Sequence, residues 1–154
     1  MSYYFLDSSA LIKRYVIEVG TAWVRSITVR SAGQTIIIAH ITQAEIVSGA
    51  MRRKREGTVT APTARAVRLL IDRHASREYK VVGLTVEVIR RAEDQLEVHP
   101  RRTYDAIQLA SALASNARLI TAGLSPLIFV SADTRLLTAA AAEGLTTDDP
   151  HAHP

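Results

Sequence analysis

Four carboxylates in this chain of 154 residues are placed where side chains often do chemistry. Asp7 directly follows the first apolar run, and Asp133 follows the fourth predicted strand by three residues. Glu45 lies in the first half of the helix after the second predicted strand, and Asp105 lies in the first turn of a later helix. In an open parallel sheet, functional groups gather outside the carboxyl ends of the strands. The four acids are therefore expected to meet at one rim of the sheet.

Carboxylates gathered in this way favour a particular chemistry. They cannot all stay ionised unless a cation neutralises them. Oxygen ligands without His or Cys select Mg²⁺ or Mn²⁺ rather than zinc. Two such ions, roughly 3.5–4 Å apart, can hold the attacking and leaving oxygens of a displacement at phosphorus. The pattern therefore predicts metal-assisted hydrolysis of a phosphodiester.

Simpler roles must be weighed for the same acids. Asp7 and Asp133 stand where helix N-caps belong, and Asp is a preferred cap. Asp105 in a first helical turn is favoured by the helix dipole. Glu45 has no such explanation, because its neighbours are apolar, Gly49 lies four residues on, and no basic residue lies three residues on. Its carboxylate is either exposed or committed to another partner.

Composition narrows the class of protein. The absence of cysteine excludes disulfides, thiolate zinc sites, iron–sulfur ligation and cysteine nucleophiles. No apolar run is long enough for a membrane helix, and residues 1–7 lack the basic start of a secretory signal. We therefore expect a soluble, cytoplasmic protein without membrane contact. The net charge is +4, mostly from arginine, which suits phosphate binding but also arises in a GC-rich genome.

Strands and helices alternate along the chain, which is typical of a parallel sheet covered by helices on both faces. The apolar runs predict strands at residues 3–6, 35–39, 80–84 and 127–130, with a short fifth at 145–147. The fold class is therefore α/β: one domain over residues 1–147, with a parallel sheet of four to five strands. Residues 148–154 are polar and are expected to form a disordered tail.

Four segments carry these acids and resemble the signature blocks of PIN-domain ribonucleases. They read FLDSSALIK at residues 5–13, TQAEI at 42–46, RTYDAIQLASA at 102–112 and FVSADTRLL at 129–137. The size of the chain and the AAAEGL ending at residues 140–145 resemble the VapC-type toxins of bacterial toxin–antitoxin pairs.

This resemblance implies a Rossmann-like α/β/α domain and an endoribonuclease that depends on Mg²⁺ or Mn²⁺. It also implies a homodimer, an RNA substrate and inhibition by a cognate antitoxin. The metal-binding and catalytic quartet of the family corresponds to Asp7, Glu45, Asp105 and Asp133. The hydroxyls that support it correspond to Ser131, beside the last acid, and to Ser8 or Ser9, beside the first.

The chain departs from the family pattern at two places. Gln108 stands where relatives often have His, and we interpret it as a packing position. Leu136 and Leu137 stand where some relatives carry a further acid, which leaves open whether one or two metal ions bind.

Basic residues near these blocks are candidates for RNA phosphate contacts: Lys13, Arg14 and Arg52. The basic run at residues 52–55 is also what the C-terminus of a helix favours.

An aspartyl phosphatase is excluded, because Ser9 stands where its second Asp belongs. The alternative that stays open is a catalytically silent PIN-like domain that binds RNA or a protein partner without cleavage.

Overall fold

The structure is a computed structural model that describes residues 1–153. Its centre is one sheet of five parallel strands in the order β3-β2-β1-β4-β5. The strands are β1 Tyr3–Leu6, β2 Thr35–Ala39, β3 Lys80–Val82, β4 Ile128–Val130 and β5 Thr146–Asp148.

Helices connect the strands and cover both faces of the sheet. They are α1 Ser8–Leu11, α2 Thr21–Thr28, α3 Ile41–Arg55, α4 Ala61–Arg77, α5 Val86–Val98, α6 Thr103–Thr121 and α7 Thr134–Ala142. Short 3₁₀ turns lie at Ile12–Arg14, Arg30–Ala32 and Pro150–Ala152.

The two faces of the sheet are buried in separate cores because side chains alternate along each strand. On one face Leu6 and Val130 pack with residues of α1, α2, α3 and α4. On the other face Phe5 and Phe129 stack with ring centroids 5.7 Å apart and pack against α6 and α7. Helix α5 packs on α6 through a third, smaller cluster. The predicted α/β/α architecture with a parallel sheet is confirmed.

The central strands bring the first and last acid-bearing segments together. Strands β1 and β4 are neighbours, with Leu6 paired to Val130, so both end at the same rim. The backbone N–H of Asp7 donates to the carbonyl of Val130 at 3.1 Å and continues the ladder by one residue. The acid that follows each strand is thereby directed to the same edge.

The C-terminal segment differs from the expectation of a disordered tail. Asp148 belongs to β5, residues 150–152 form a 3₁₀ turn, and Pro150 is buried. The ring of His153 stacks on Trp23 of α2, with ring centroids 4.2 Å apart. These long-range contacts order residues 148–153, whose polar composition alone favours a tail; Pro154 lies outside the described residues.

Two helices carry the acids that do not follow a strand directly. Helix α3 begins at Ile41 with His40 as its N-cap, so Thr42 lies inside the helix and is fully buried. Helix α6 runs from Thr103 to Thr121 with Asp105 in its first turn. Within residues 1–153, none of the helices combines the length and the apolar character that crossing a bilayer requires.

Candidate active site

An open cleft of about 690 Å³ lies at the carboxyl rim of β1 and β4. Glu45 from α3, Asp105 from α6 and Asp133 from the turn before α7 line it. Asp7 is only 3% exposed and is not itself part of the lining, but its neighbours Ser8 and Ser9 line the cleft. The fold thus brings all four sequence-predicted acids to one region.

Asp7 is held by hydrogen bonds to both carboxylate oxygens. As the N-cap of α1, its Oδ1 accepts from the backbone N–H of Ala10 at 2.9 Å and from the Ser9 hydroxyl at 2.8 Å. Its Oδ2 accepts from the Ser131 hydroxyl at 2.7 Å. The pKa of Asp7 is raised from 3.8 to about 6, mainly by burial and to a smaller extent by the nearby charge of Glu45, although the hydrogen bonds lower it.

Two serines join the ends of the strands that carry the acids. The Ser9 hydroxyl also accepts from the backbone N–H of Ala132 at 2.9 Å. The Ser131 hydroxyl also accepts from the backbone N–H of Asp133 at 3.0 Å. The loop after β1 and the loop after β4 are therefore tied to each other through side chains that also contact Asp7.

Glu45 is half-buried on α3, and burial is the main cause of its raised pKa. The hydrogen bond from Gln108 and the hydroxyl of Ser8 lower that pKa, while the charge of Asp105 raises it. The carboxamide of Gln108 donates to Oε2 of Glu45 at 2.5 Å and to the Thr42 hydroxyl at 2.9 Å. Gln108 is therefore a hydrogen-bonding partner of the site as well as a packed residue.

Sequence reasoning missed this contact, although a signal for it was present. Gln108 follows Asp105 by three residues on α6, and Glu45 follows Thr42 by three residues on α3. Residues three apart share a helix face. Each of the two helices therefore carries an acid and a second polar residue on one face. This pattern indicates that α3 and α6 face each other through these two pairs.

Asp105 and Asp133 form the other side of the acidic group. Burial raises the pKa of Asp105, and the charge of Asp133 raises it further, whereas Arg102 and Arg101 lower it. Asp133 caps α7 through Oδ1, which accepts from the backbone N–H groups of Arg135 and Leu136 at 2.9 and 3.3 Å. Its capping role and a role in the cleft are compatible, because the cap uses one carboxylate oxygen.

The donor set fits a hard divalent cation. The cleft lining contains carboxylates and hydroxyls but neither imidazole nor thiolate. Three of the acids (Asp7, Glu45 and Asp105) have a raised pKa because burial and a neighbouring carboxylate disfavour the charged form, a penalty that a cation would offset. Among residues 1–153, no three His, Asp or Glu side chains are close enough to hold one metal ion together. Mg²⁺ does not require this, because it is commonly held by one or two carboxylates with water and substrate phosphate.

Basic side chains flank the acids in the cleft. Arg52 and Arg53 of α3 line it, as do Arg102, the N-cap of α6, and the neighbouring Tyr104. The Arg52 side chain is 63% exposed. Arg53 is paired with Glu18 and donates to the carbonyl of Gly49 at 3.2 Å.

The other two predicted RNA contacts differ from Arg52. Lys13 borders the cleft but is only 3% exposed, and its Nζ lies 3.3 Å from both Glu18 Oε2 and His151 Nε2.

Arg14 lies outside the cleft. Its guanidinium donates to Glu78 at 3.0 Å and to the Tyr79 hydroxyl at 2.5 Å, next to the C-terminal end of α4. The prediction rested on the closeness of Arg14 to Asp7 in sequence. Successive residues of a 3₁₀ turn diverge by roughly 120° around the axis, so Lys13 and Arg14 point to different parts of the molecule.

Comparisons with known proteins agree with this architecture. Three solved structures are similar over 96% of this chain. A toxin–antitoxin complex from Klebsiella pneumoniae has 14% identity, 97% of its own chain covered and a TM-score of 0.61, and VapBC2 from Rickettsia felis bound to a DNA fragment from its promoter has 12% identity, 98% covered and a TM-score of 0.63. PAE2754 from Pyrobaculum aerophilum has 22% identity, 83% of its own chain covered and a TM-score of 0.56. At these identities the likeness concerns the fold.

The sequence itself provides the family assignment. A search of curated proteins found no match. The family model of the PIN domain matches residues 4–126, a span that includes Asp7, Glu45 and Asp105. Asp133 lies beyond that span. Since the match extends over most of its length, the chain belongs to the PIN domain family.

Proposed function

We propose that this protein is a metal-dependent endoribonuclease and the toxin of a VapC-type toxin–antitoxin pair. The observation that carries the proposal is the cleft in which Glu45, Asp105 and Asp133 line the surface together with three arginines, while Asp7 is buried next to the lining residues Ser8 and Ser9. Acidic residues alone would repel RNA, and arginines at the edges offset that repulsion. The family membership of the chain supports a nuclease.

The four acids have distinct proposed roles. Asp7, Asp105 and Asp133 are the proposed ligands of Mg²⁺, for which Mn²⁺ can substitute, and Glu45 holds a second ion or orients the attacking water. Because no three acids within residues 1–153 lie close enough to hold one ion together, we expect one or two of them to contact it directly, with water and substrate phosphate completing its coordination. The chemistry that the bound cation supplies is activation of water and neutralisation of charge at the phosphodiester. Ser9 and Ser131 keep the Asp7 carboxylate in place, since both donate to it.

The flanking arginines bind the RNA backbone. Arg52 of α3 and Arg102, the N-cap of α6, both line the cleft, so an RNA strand bound there has two basic side chains available for its phosphates. Arginine suits this role because its planar guanidinium matches the oxygens of a phosphate. Because the proposed substrate is RNA, the proposed location of the protein is the cytoplasm.

The proposed partners are an antitoxin and a second copy of the chain. The similar structures from Klebsiella pneumoniae and Rickettsia felis are described as a toxin–antitoxin complex and as VapBC2. An antitoxin segment that carries arginine could pair with the acids of the cleft, because charge-assisted bonds to carboxylates are strong. Such a segment would compete with both the cation and the RNA.

The decisive experiment is cleavage of a mixed tRNA and rRNA pool by the purified protein. It is carried out with Mg²⁺, with Mn²⁺ and with EDTA, and with the variants Asp105→Asn and Asp94→Asn. Asp94 is an exposed acid on α5 and serves as the matched control. We expect cleavage by the wild type and Asp94→Asn that is lost in EDTA and in Asp105→Asn. A folded protein that cleaves with neither cation would instead support a PIN-like domain that only binds RNA or a protein.

A further inference from the structure

One buried carboxamide connects the two helices that carry Glu45 and Asp105. Gln108 is 1% exposed and lies on α6, one turn after Asp105. It reaches across to α3, where its Nε2 donates both to Glu45 Oε2 and to the Thr42 hydroxyl. Both hydrogens of the amide group are therefore used.

The orientation of this amide is determined by its partners. Turning the carboxamide over would place its oxygen against the Glu45 carboxylate, which is an unfavourable contact between two acceptors. Thr42 is fully buried, and its hydroxyl lies 2.9 Å from Nε2 and 3.4 Å from Oε1 of Gln108. Because a hydroxyl can accept or donate, Thr42 fits either orientation, and the Glu45 carboxylate is the group that selects this one. Gln108 thus presents a fixed donor to one oxygen of Glu45.

Glu45 has few other groups to hold it. No basic side chain contributes to its shifted pKa, and the groups that act on it are Gln108, Ser8 and Asp105. Asp105 repels it, and among residues 1–153 its carboxylate accepts a hydrogen bond from Gln108, so its orientation depends mainly on that bond. Without a fixed donor, a half-buried glutamate has several side-chain rotamers available.

We propose that Gln108 is a positioning residue that sets the orientation of the Glu45 carboxylate in the cleft. The effect on catalysis rests on the proposed nuclease function. The hydrogen bond between Gln108 and Glu45 does not, because it is present in the protein without metal or RNA. If Gln108 only fills space, an apolar side chain of the same length can replace it without loss of activity. If it positions Glu45, the same replacement removes the N–H donor and lowers activity.

The first test replaces Gln108 by methionine, which keeps the length and removes the donors. Gln108→Met is expected to lower kcat by roughly ten- to a hundredfold, the usual range for residues that orient metal ligands. KM should stay within about twofold, because RNA is bound mainly through the arginines. Gln108→His restores an N–H donor and should recover part of the lost kcat.

Gln95 provides a matched control. It is a second buried glutamine, 6% exposed on α5, and its Oε1 has no hydrogen-bond partner within residues 1–153. It is not part of the cleft lining. Gln95→Met should therefore leave kcat unchanged, and thermal unfolding of both variants shows that they are folded.

A double-mutant cycle tests whether Gln108 acts through Glu45. If it does, Gln108→Met should cause no further loss of kcat in a Glu45→Ala background, because coupled residues do not have additive effects. Losses that multiply would overturn the proposal. So would a Gln108→Met variant that cleaves as the wild type does.

A measurement without RNA or metal keeps the proposal separate from the nuclease assignment. In the NMR spectrum of the metal-free protein, Glu45→Ala should shift the side-chain amide resonances of Gln108 and leave those of Gln95 in place. If the wild type cleaves no RNA, the nuclease assignment fails while this spectrum still tests the contact. If the Gln108 resonances do not move, the positioning role fails whatever the activity.

Discussion

The hydroxyl of Ser131 donates a hydrogen bond of 2.7 Å to Oδ2 of Asp7, a residue 124 positions earlier in the chain. The same hydroxyl accepts from the backbone N–H of Asp133 at 3.0 Å. The Ser131 side chain therefore fixes the position of Asp7 relative to the loop that carries Asp133. The arrangement depends on β1 and β4 being neighbours in the sheet.

Removing the Ser131 hydroxyl should destabilise the protein. Ser131→Ala leaves Asp7 with one donor fewer and the partly buried backbone N–H of Asp133 without its acceptor. We expect a loss of about 1–2 kcal/mol in the free energy of unfolding, measured by urea denaturation. Ser76→Ala, which removes an exposed hydroxyl that bonds only to the Arg73 carbonyl, is the matched control. Equal stability of the two variants would contradict the role given to Ser131.

The ionisation of Asp7 should make the metal-free protein less stable as pH rises. Its pKa is raised from 3.8 to about 6 by burial, so the folded state holds its proton more tightly than the unfolded state does. Below both values the carboxyl is protonated in both states and imposes no penalty. Between them stability falls with rising pH, and above the folded value the penalty is complete, about 3 kcal/mol at 1.36 kcal/mol per unit.

The variant Asp7→Asn tests this directly in EDTA. It should be more stable than the wild type near neutral pH, and the difference should shrink toward pH 4, as seen by urea denaturation at several pH values. Mg²⁺ should raise the melting temperature of the wild type and not that of Asp7→Asn, because a ligand stabilises only the state that binds it. A stability difference that does not change with pH would contradict the assigned pKa.

The packing of the C-terminal segment can be tested at a glycine. Gly20 has φ of +85°, and a Cβ there would lie 2.4 Å from the carbonyl oxygen of Pro150. Gly33 also has positive φ, +67°, but a Cβ there meets nothing within 4 Å. Gly33→Ala should cost about 1–2 kcal/mol for its backbone conformation alone. Gly20→Ala should cost at least about 1 kcal/mol more, because of the clash.

Tryptophan fluorescence distinguishes that clash from a general loss of stability. Trp23 is the only tryptophan in the chain and stacks on His153. Under native conditions Gly20→Ala should change its emission, whereas Gly33→Ala should not. Equal costs and unchanged emission would mean that residues 149–153 do not pack as described.

The two arginines proposed from sequence should differ in their effect on RNA binding. Arg52 lines the cleft, whereas Arg14 is bound to Glu78 and Tyr79 outside it. In an Asp105→Asn background, Arg52→Ala should reduce the slope of log K against log salt by about 0.7 for a single-stranded RNA. Arg14→Ala should leave the slope unchanged and lower the melting temperature. The reverse result would place the RNA elsewhere on the protein.

Much of the fold could be predicted because its signals are local. The run of β-branched residues at 35–39 predicts a buried parallel strand, and β2 has those bounds. The carboxylates also follow from local position, since parallel strands end at a common rim and each acid stands just past a strand or near a helix start. Recognition of the four blocks, and with it the PIN family, needed no tertiary information.

The tertiary structure alone decided how those residues contact one another. The bond between Gln108 and Glu45 joins residues 63 positions apart, and its existence depends on how α3 faces α6. The direction of Arg14 was decided by a single 3₁₀ turn, and the order of residues 148–153 by pairing with β4 and stacking on Trp23. Sequence patterns report the conformation of a segment and which side of it is apolar. Contacts between distant polar groups depend instead on the packing of whole elements, which is set by the sum of many weak interactions across the core.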